Sequence, residues 1–115
     1  MSESTQELFK LQAEICRTLA DPNRLWILHE LMKGEMSVGQ LVSNLGLPQS
    51  NVSHHLAVLR QKSIVFTRRE GTTIYYHLAD DRIAAACDLV REVLRGSLIQ
   101  RHRVANLLGQ SEEVP

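Results

Sequence analysis

On a 3.6-residue period, the stretch from Leu47 to Arg60 reads as one helix with two differently equipped faces. Val52, Leu56 and Leu59 fall together on one side, which is apolar and wants a core. Ser50, Ser53, His54 and Ala57 fall on another, where short uncharged side chains carry hydroxyl and imidazole groups. A solvated surface helix more often carries Lys and Glu there. Such a face suits a helix that lies in a DNA major groove and hydrogen-bonds base edges with no bulky side chain in the way. Gln49, Ser50, Asn51, Ser53 and His54, with Arg60 at the far end, are therefore the candidate DNA contacts. Pro48, with its fixed φ and missing donor, fits the first turn, where unpaired N–H groups can meet a phosphate. His55 lies on the inner edge beside Leu56 and reads as a packing and hydrogen-bonding residue.

The charge distribution agrees with that reading. The 115 residues carry 13 basic and 13 acidic side chains, so the net formal charge is zero. Residues 1–35 are net −2, residues 36–78 are net +3 and residues 79–115 are net −1. The positive charge sits around the proposed reading helix, as a local phosphate-binding footprint requires. Arg68 and Arg69, beside a predicted hairpin tip, are the candidates for phosphate or minor-groove contact.

Chain length predicts a single domain over residues 1–115, small enough that a second subunit would help to bury its apolar surface. No apolar run approaches the roughly 18 residues needed to span a bilayer, and the first residues are neither basic nor hydrophobic, so the expected location is cytoplasmic with no membrane partner. Cys16 and Cys87 lie inside apolar helical patterns and read, in a reducing compartment, as small buried hydrophobes. None of the common phosphate-loop, dinucleotide, zincin or dithiol motifs is present, and the six glycines stand at apparent turns or helix ends, so no enzyme and no cofactor is expected.

The elements that must position these residues follow from periodicity and punctuation. Leu8, Leu11, Ile15 and Leu19 form the stripe of a first helix ending before Asp21-Pro22, an acidic cap and first-turn proline that open a second. That second helix should turn Leu25, Leu28 and Leu31 or Met32 inward before Gly34. A third runs from Ser37 to Leu45 with Val38, Leu41 and Leu45 inward and closes at Gly46; the fourth is the reading helix. Residues 64–69 and 73–78 are β-branched and aromatic runs around Glu70-Gly71-Thr72, a hairpin in which Ile74, Tyr76 and Leu78 should face the core and Tyr75 and His77 should not. A fifth helix from about Asp80 places Ile83, Ala86, Cys87, Val90 and Leu94 on one side, more apolar surface than one such domain can use. Ser97–Leu108 either extends this helix or begins a sixth. The fold class is thus mostly α with a β-hairpin wing, a winged helix-turn-helix of five or six helices.

At this point the residues resemble a family. Asp21-Pro22-Asn23-Arg24-Leu25-Trp26-Ile27-Leu28, Ser50-Asn51-Val52-Ser53-His54-His55-Leu56 with Leu59, Arg69-Glu70-Gly71 and Tyr75-Tyr76 are similar to the ArsR/SmtB transcriptional repressors, in the same order and spacing over about residues 7–95. Residues 97–115 form a C-terminal extension to that core. The resemblance implies a homodimer, paired through its first and last helices, that binds a palindromic operator on double-stranded DNA and releases it when an effector arrives. Leu8, Leu11, Ile15, Ile83, Cys87, Val90 and Leu94 are the interface candidates. Asp21 and Arg24 read as an ion pair at a helix start.

The family's two familiar metal sites are missing. Where soft-metal sensors have Glu-Leu-Cys-Val-Cys-Asp-Leu on the third helix, this chain has Glu35-Met36-Ser37-Val38-Gly39-Gln40-Leu41. Where the zinc site of the last helix would lie, Asp80, Arg82, Val93 and Gly96 stand, and moving the register to Asp81, Ile83, Leu94 and Ser97 supplies no better donors. No metal is expected, and the effector is unknown. If the first and last helices meet in a dimer, Cys16 and Cys87 are candidates for a thiol switch. The rival reading of the same fold is a protein-interaction adaptor with no operator.

Overall fold

The computed structural model describes residues 2–113 and resolves the chain into two compact units, Met1–Ala84 and Ala85–Pro115. In the first unit, α1 (Glu3–Thr18) starts at Ser2, whose side chain accepts from the Thr5 amide. Asp21 caps α2 (Pro22–Leu31) by accepting from the amides of Asn23 and Arg24 at 2.9 and 3.1 Å, and Pro22 occupies the first turn, where its missing donor costs nothing. A short strand β1 (Met36–Ser37) leads into α3 (Val38–Leu45) through a capping box in which Ser37 and Gln40 satisfy each other's amides. Gly46 ends α3 in the left-handed region at φ 67°, and the chain turns through Leu47 and Pro48 into α4 (Gln49–Gln61).

Helix α4 ends in a Schellman motif with Ser63 at φ 59°. The Ser63 amide reaches the Arg60 carbonyl and the Ile64 amide reaches that of Leu59 at 2.9 Å. This closure leads into β2 (Val65–Glu70), and Gly71, at φ 62°, turns it into β3 (Thr73–Leu78). The three strands form an antiparallel sheet in the order β1-β3-β2, with Met36 opposite Tyr76 and Arg68 opposite Tyr75. The pairing of β1 was not predicted; two residues are too few to show a period of two.

Ile27, Leu28 and Leu31 of α2, Leu41 and Leu45 of α3, Val52, Leu56 and Leu59 of α4, and Ile64, Val65 and Leu78 around the hairpin are buried together. Each contributes about 1.5–3 kcal/mol by leaving water. Helix α2 is rotated from the sequence-based expectation: Ile27 is fully buried, Leu25 half-buried and Met32 exposed, while Glu30 is buried and paired with Lys33. The hairpin also departs from expectation at its tip, where Ile74 is exposed because the wing extends past the core; Leu78, at the other end of β3, is buried. Leu8, Phe9 and Leu11 of α1 are exposed, Ile15 is half-buried and Leu19 is buried.

Helix α5 (Asp81–Val93) begins in the first unit and continues in the second. A π-helical turn, Leu94–Leu98, joins it to α6 (Ile99–Glu113), so the C-terminal segment is helical and separated from α5 by a widened turn. Leu89, Val90, Val93 and Leu94 are exposed, as are Val104, Leu107 and Leu108. The cysteines do not fit the reading as buried hydrophobes: Cys16 is exposed, Cys87 is half-buried, and neither is in a disulfide. Among the described residues no helix is long and apolar enough to cross a membrane.

Candidate nucleic-acid interface

Helix α4 separates its two faces as its periodicity demands. Val52, Leu56 and Leu59 have no exposed surface, whereas Gln49, Ser50, Asn51, Ser53, His54, Ala57 and Arg60 are all exposed. Pro48 is the capping residue itself, one position earlier than a first-turn proline, and no side chain caps the helix behind it. The positive end of the helix dipole therefore lies open beside Gln49 and Ser50, where an anion is favoured.

The inner edge of α4 is anchored by a polar network. Arg24 donates from Nε to Nδ1 of His55 at 3.1 Å and from Nη1 to the Thr18 carbonyl at 3.0 Å. His55 Nε2 faces Asp21 Oδ1 at 4.0 Å. Arg24 thus spans from the end of α1 to α4, a longer connection than the predicted helix-start pair with Asp21. Because Nδ1 accepts, His55 is the neutral tautomer with its proton on Nε2. Burial lowers its pKa below the ordinary imidazole value, and Asp21 only partly offsets that. Asp21 is held below the usual carboxylate range, chiefly by the Arg24 amide hydrogen bond.

On the wing, Arg68 and Arg69 point to opposite faces of β2 and have different surroundings. Arg68 Nε lies 3.1 Å from each oxygen of Glu35, Nη2 also reaches Glu35, and Nη1 donates to Glu70 at 3.0 Å. Its guanidinium carbon is 4.9 Å from the centre of the Tyr75 ring. Arg69 donates from Nε to the Gly71 carbonyl at 3.1 Å and forms no ion pair among the described residues. Sequence reasoning did not single out Glu35, because no local spacing links it to a partner 33 positions later.

Asp80, the one carboxylate left from the zinc pattern, is committed to the start of α5: it accepts from the Arg82 amide and guanidinium, which bring its pKa down to about 2. The groove between β1 and α3, about 520 Å³, is lined by Glu35, Met36, Ser37, Gly39, Gln40, Ser43 and Asn44 and offers one carboxylate with no imidazole or thiolate. Among the described residues no three His, Cys, Asp or Glu side chains gather in metal-binding geometry.

Residues 21–65, from the Asp21 cap to the first residue of β2, match the model of the bacterial regulatory proteins of the arsR family. An HTH-type transcriptional regulator of Mycobacterium tuberculosis is 41% identical over 98 residues, covering 84% of this chain and 86% of that protein. A biofilm growth-associated repressor of Agrobacterium fabrum is 46% identical over 72 residues, 63% of this chain and 62% of the relative. Among solved structures, the homodimeric winged helix-turn-helix DNA-binding domain of a Mycobacterium bovis protein superposes with a TM-score of 0.72 at 32% identity, covering 85% of this chain and 91% of that one. The transcriptional repressor BigR of Xylella fastidiosa does so at 0.71 and 33%, covering 81% and 96%.

Proposed function

Since the chain belongs to the arsR family of bacterial regulatory proteins, we propose that it is a DNA-binding transcriptional repressor that acts as a homodimer on a palindromic operator. The observation that carries this reading is α4: one face is fully buried, and the opposite face is exposed, able to hydrogen-bond and uncharged as far as Arg60 in the last turn. Ser50, Ser53 and His54 read base edges, with Gln49 and Asn51 beside the open helix start and Arg60 on the backbone. Arg69 at the wing tip holds phosphate. The exposed apolar residues Leu8 and Leu11 of α1, Val90 of α5 and Leu94 at the start of the π-helical turn, with the half-buried Ile15, Ile83 and Cys87, pair with a second copy. The site belongs to a single domain whose core spans residues 7–95, and release follows a signal other than a metal ion. A salt-dependent gel shift with the duplex upstream of the protein's own gene, against a random-sequence duplex of equal length, is the test. Preferential binding that weakens with salt supports the reading. Absence of binding to either duplex at low salt overturns it.

A further inference from the structure

The geometry points to Arg68 as a positioning residue that straps the wing to the start of the β1–α3 segment, with DNA phosphate left to Arg69. This inference rests on the DNA-binding reading above. A phosphate-binding arginine needs donors aimed outward and a positive local field. Arg68 has neither. Its Nε and Nη2 form a fork on the Glu35 carboxylate, its Nη1 goes to Glu70, and one flat face lies on Tyr75. Two carboxylates against one guanidinium give the Arg68–Glu35–Glu70 cluster a net charge of −1, which does not favour a phosphate. The hydrogen bonds to Glu35 and Glu70 also raise the Arg68 pKa.

The partner's place in the chain gives the contact its use. Glu35 immediately precedes β1, whose Ser37 stands opposite Tyr75 in the sheet and also caps α3. Arg68 stands opposite the same tyrosine on the other side. The strap therefore closes a loop from the wing, across all three strands, to the helix that packs against α4. A wing attached to the body by β2 and β3 alone is a two-stranded ribbon, which twists and flexes readily. Fixing its angle places Arg69 and the tip at one distance from the reading helix.

The competing role, a phosphate contact by Arg68, makes opposite predictions for Glu35. If Arg68 held phosphate, Glu35→Gln would remove a repulsive charge, release the arginine and tighten binding to every duplex. A strap predicts that Glu35→Gln and Arg68→Ala each weaken binding to the upstream duplex by about fivefold, as expected for a forked pair at the surface, and that the double variant is no weaker than either. The salt slope should stay at the wild-type value in all three, whereas loss of a phosphate contact lowers it by about one. Reversal of the pair, Glu35→Arg with Arg68→Glu, should restore affinity to within about twofold, which a phosphate-binding arginine replaced by an acid does not permit. Hydrogen exchange of the hairpin amides, read without DNA, should speed up in Glu35→Gln and return to the wild-type rate in the reversed pair. Unchanged exchange in Glu35→Gln, tighter binding by that variant, or a smaller salt slope in Arg68→Ala overturns the strap. If the wild type binds no duplex, the repressor reading fails, and the exchange rates still decide whether the strap holds the wing.

Discussion

Arg24 donates its Nε hydrogen to Nδ1 of His55 across 3.1 Å, joining the first turn of α2 to the buried edge of the reading helix. The bond requires a neutral imidazole, because a proton on Nδ1 would set donor against donor. His55 has a folded pKa below its unfolded value near 6.5, so its contribution to stability is fully present above that value and is lost as pH falls through 6.5 toward the folded pKa. Urea unfolding at about pH 7.5 and about pH 5.5 should show lower stability at the acid end, with the loss reduced in His55→Asn, which keeps an acceptor for Arg24 but does not titrate. An equal loss in both proteins would place the titration elsewhere.

Base-reading and backbone-binding residues should separate by how their loss depends on sequence and salt. Ser53→Ala or His54→Ala should relax discrimination by about 1–3 kcal/mol at particular base pairs, with the salt slope unchanged. Arg69→Ala should weaken all duplexes alike and flatten the slope by about one. Competition binding against single-base operator variants measures the first effect, and titration across salt concentrations the second. A uniform loss from His54→Ala would remove it from the base-reading set.

Dimer formation should depend on the exposed apolar side of α5. Val90 is 62% exposed in the single chain, so Val90→Asp leaves the fold intact and buries a charge only if a second subunit covers it. Sedimentation should show a monomer. Operator affinity should fall with it, because two reading helices must sit roughly 34–36 Å apart to enter successive major grooves. A Val90→Asp protein that remains dimeric and binds normally would place the interface elsewhere.

A thiol switch at Cys16 and Cys87 requires that oxidation or a thiol-reactive reagent release the wild type from DNA and leave a Cys16→Ser, Cys87→Ser protein bound. Cys16 is exposed and Cys87 half-buried, so reagents such as diamide, polysulfide or phenylarsine oxide have access to at least the first. Gel shifts of both proteins with and without each reagent supply the comparison. Equal release of the two proteins would exclude the cysteines as the switch.

Ser63 holds the left-handed position of the Schellman motif at φ 59°, where a side chain is disfavoured and glycine is not. Ser63→Gly should raise stability by about 0.5–1 kcal/mol, read from the midpoint of urea unfolding. Destabilisation by this change would mean that the Ser63 side chain makes a compensating contact.

What the sequence determined by itself was local. The apolar period of α4, the Asp21-Pro22 start of α2 and the Gly71 turn each depend on residues within one or two turns of one another, and they sufficed to define a winged helix-turn-helix and the exposed, uncharged face of its reading helix. The C-terminal end of α4 was harder to read, since a serine occupies the position where glycine is the usual signal. Only the tertiary structure decided which arginine was committed to other partners, because Arg68 meets Glu35 across 33 positions and nothing in either local pattern specifies that pair. The same holds for Arg24, whose guanidinium bonds His55 31 positions away, while only its amide reaches the nearby Asp21 carboxylate. Helix α2 turned Ile27 inward and Met32 outward because α3, α4 and β3 pack against it together, a geometry that a single helix period does not contain. Periodicity records that a face is apolar, whereas long-range packing decides which neighbour meets it and how each polar group near that contact is satisfied.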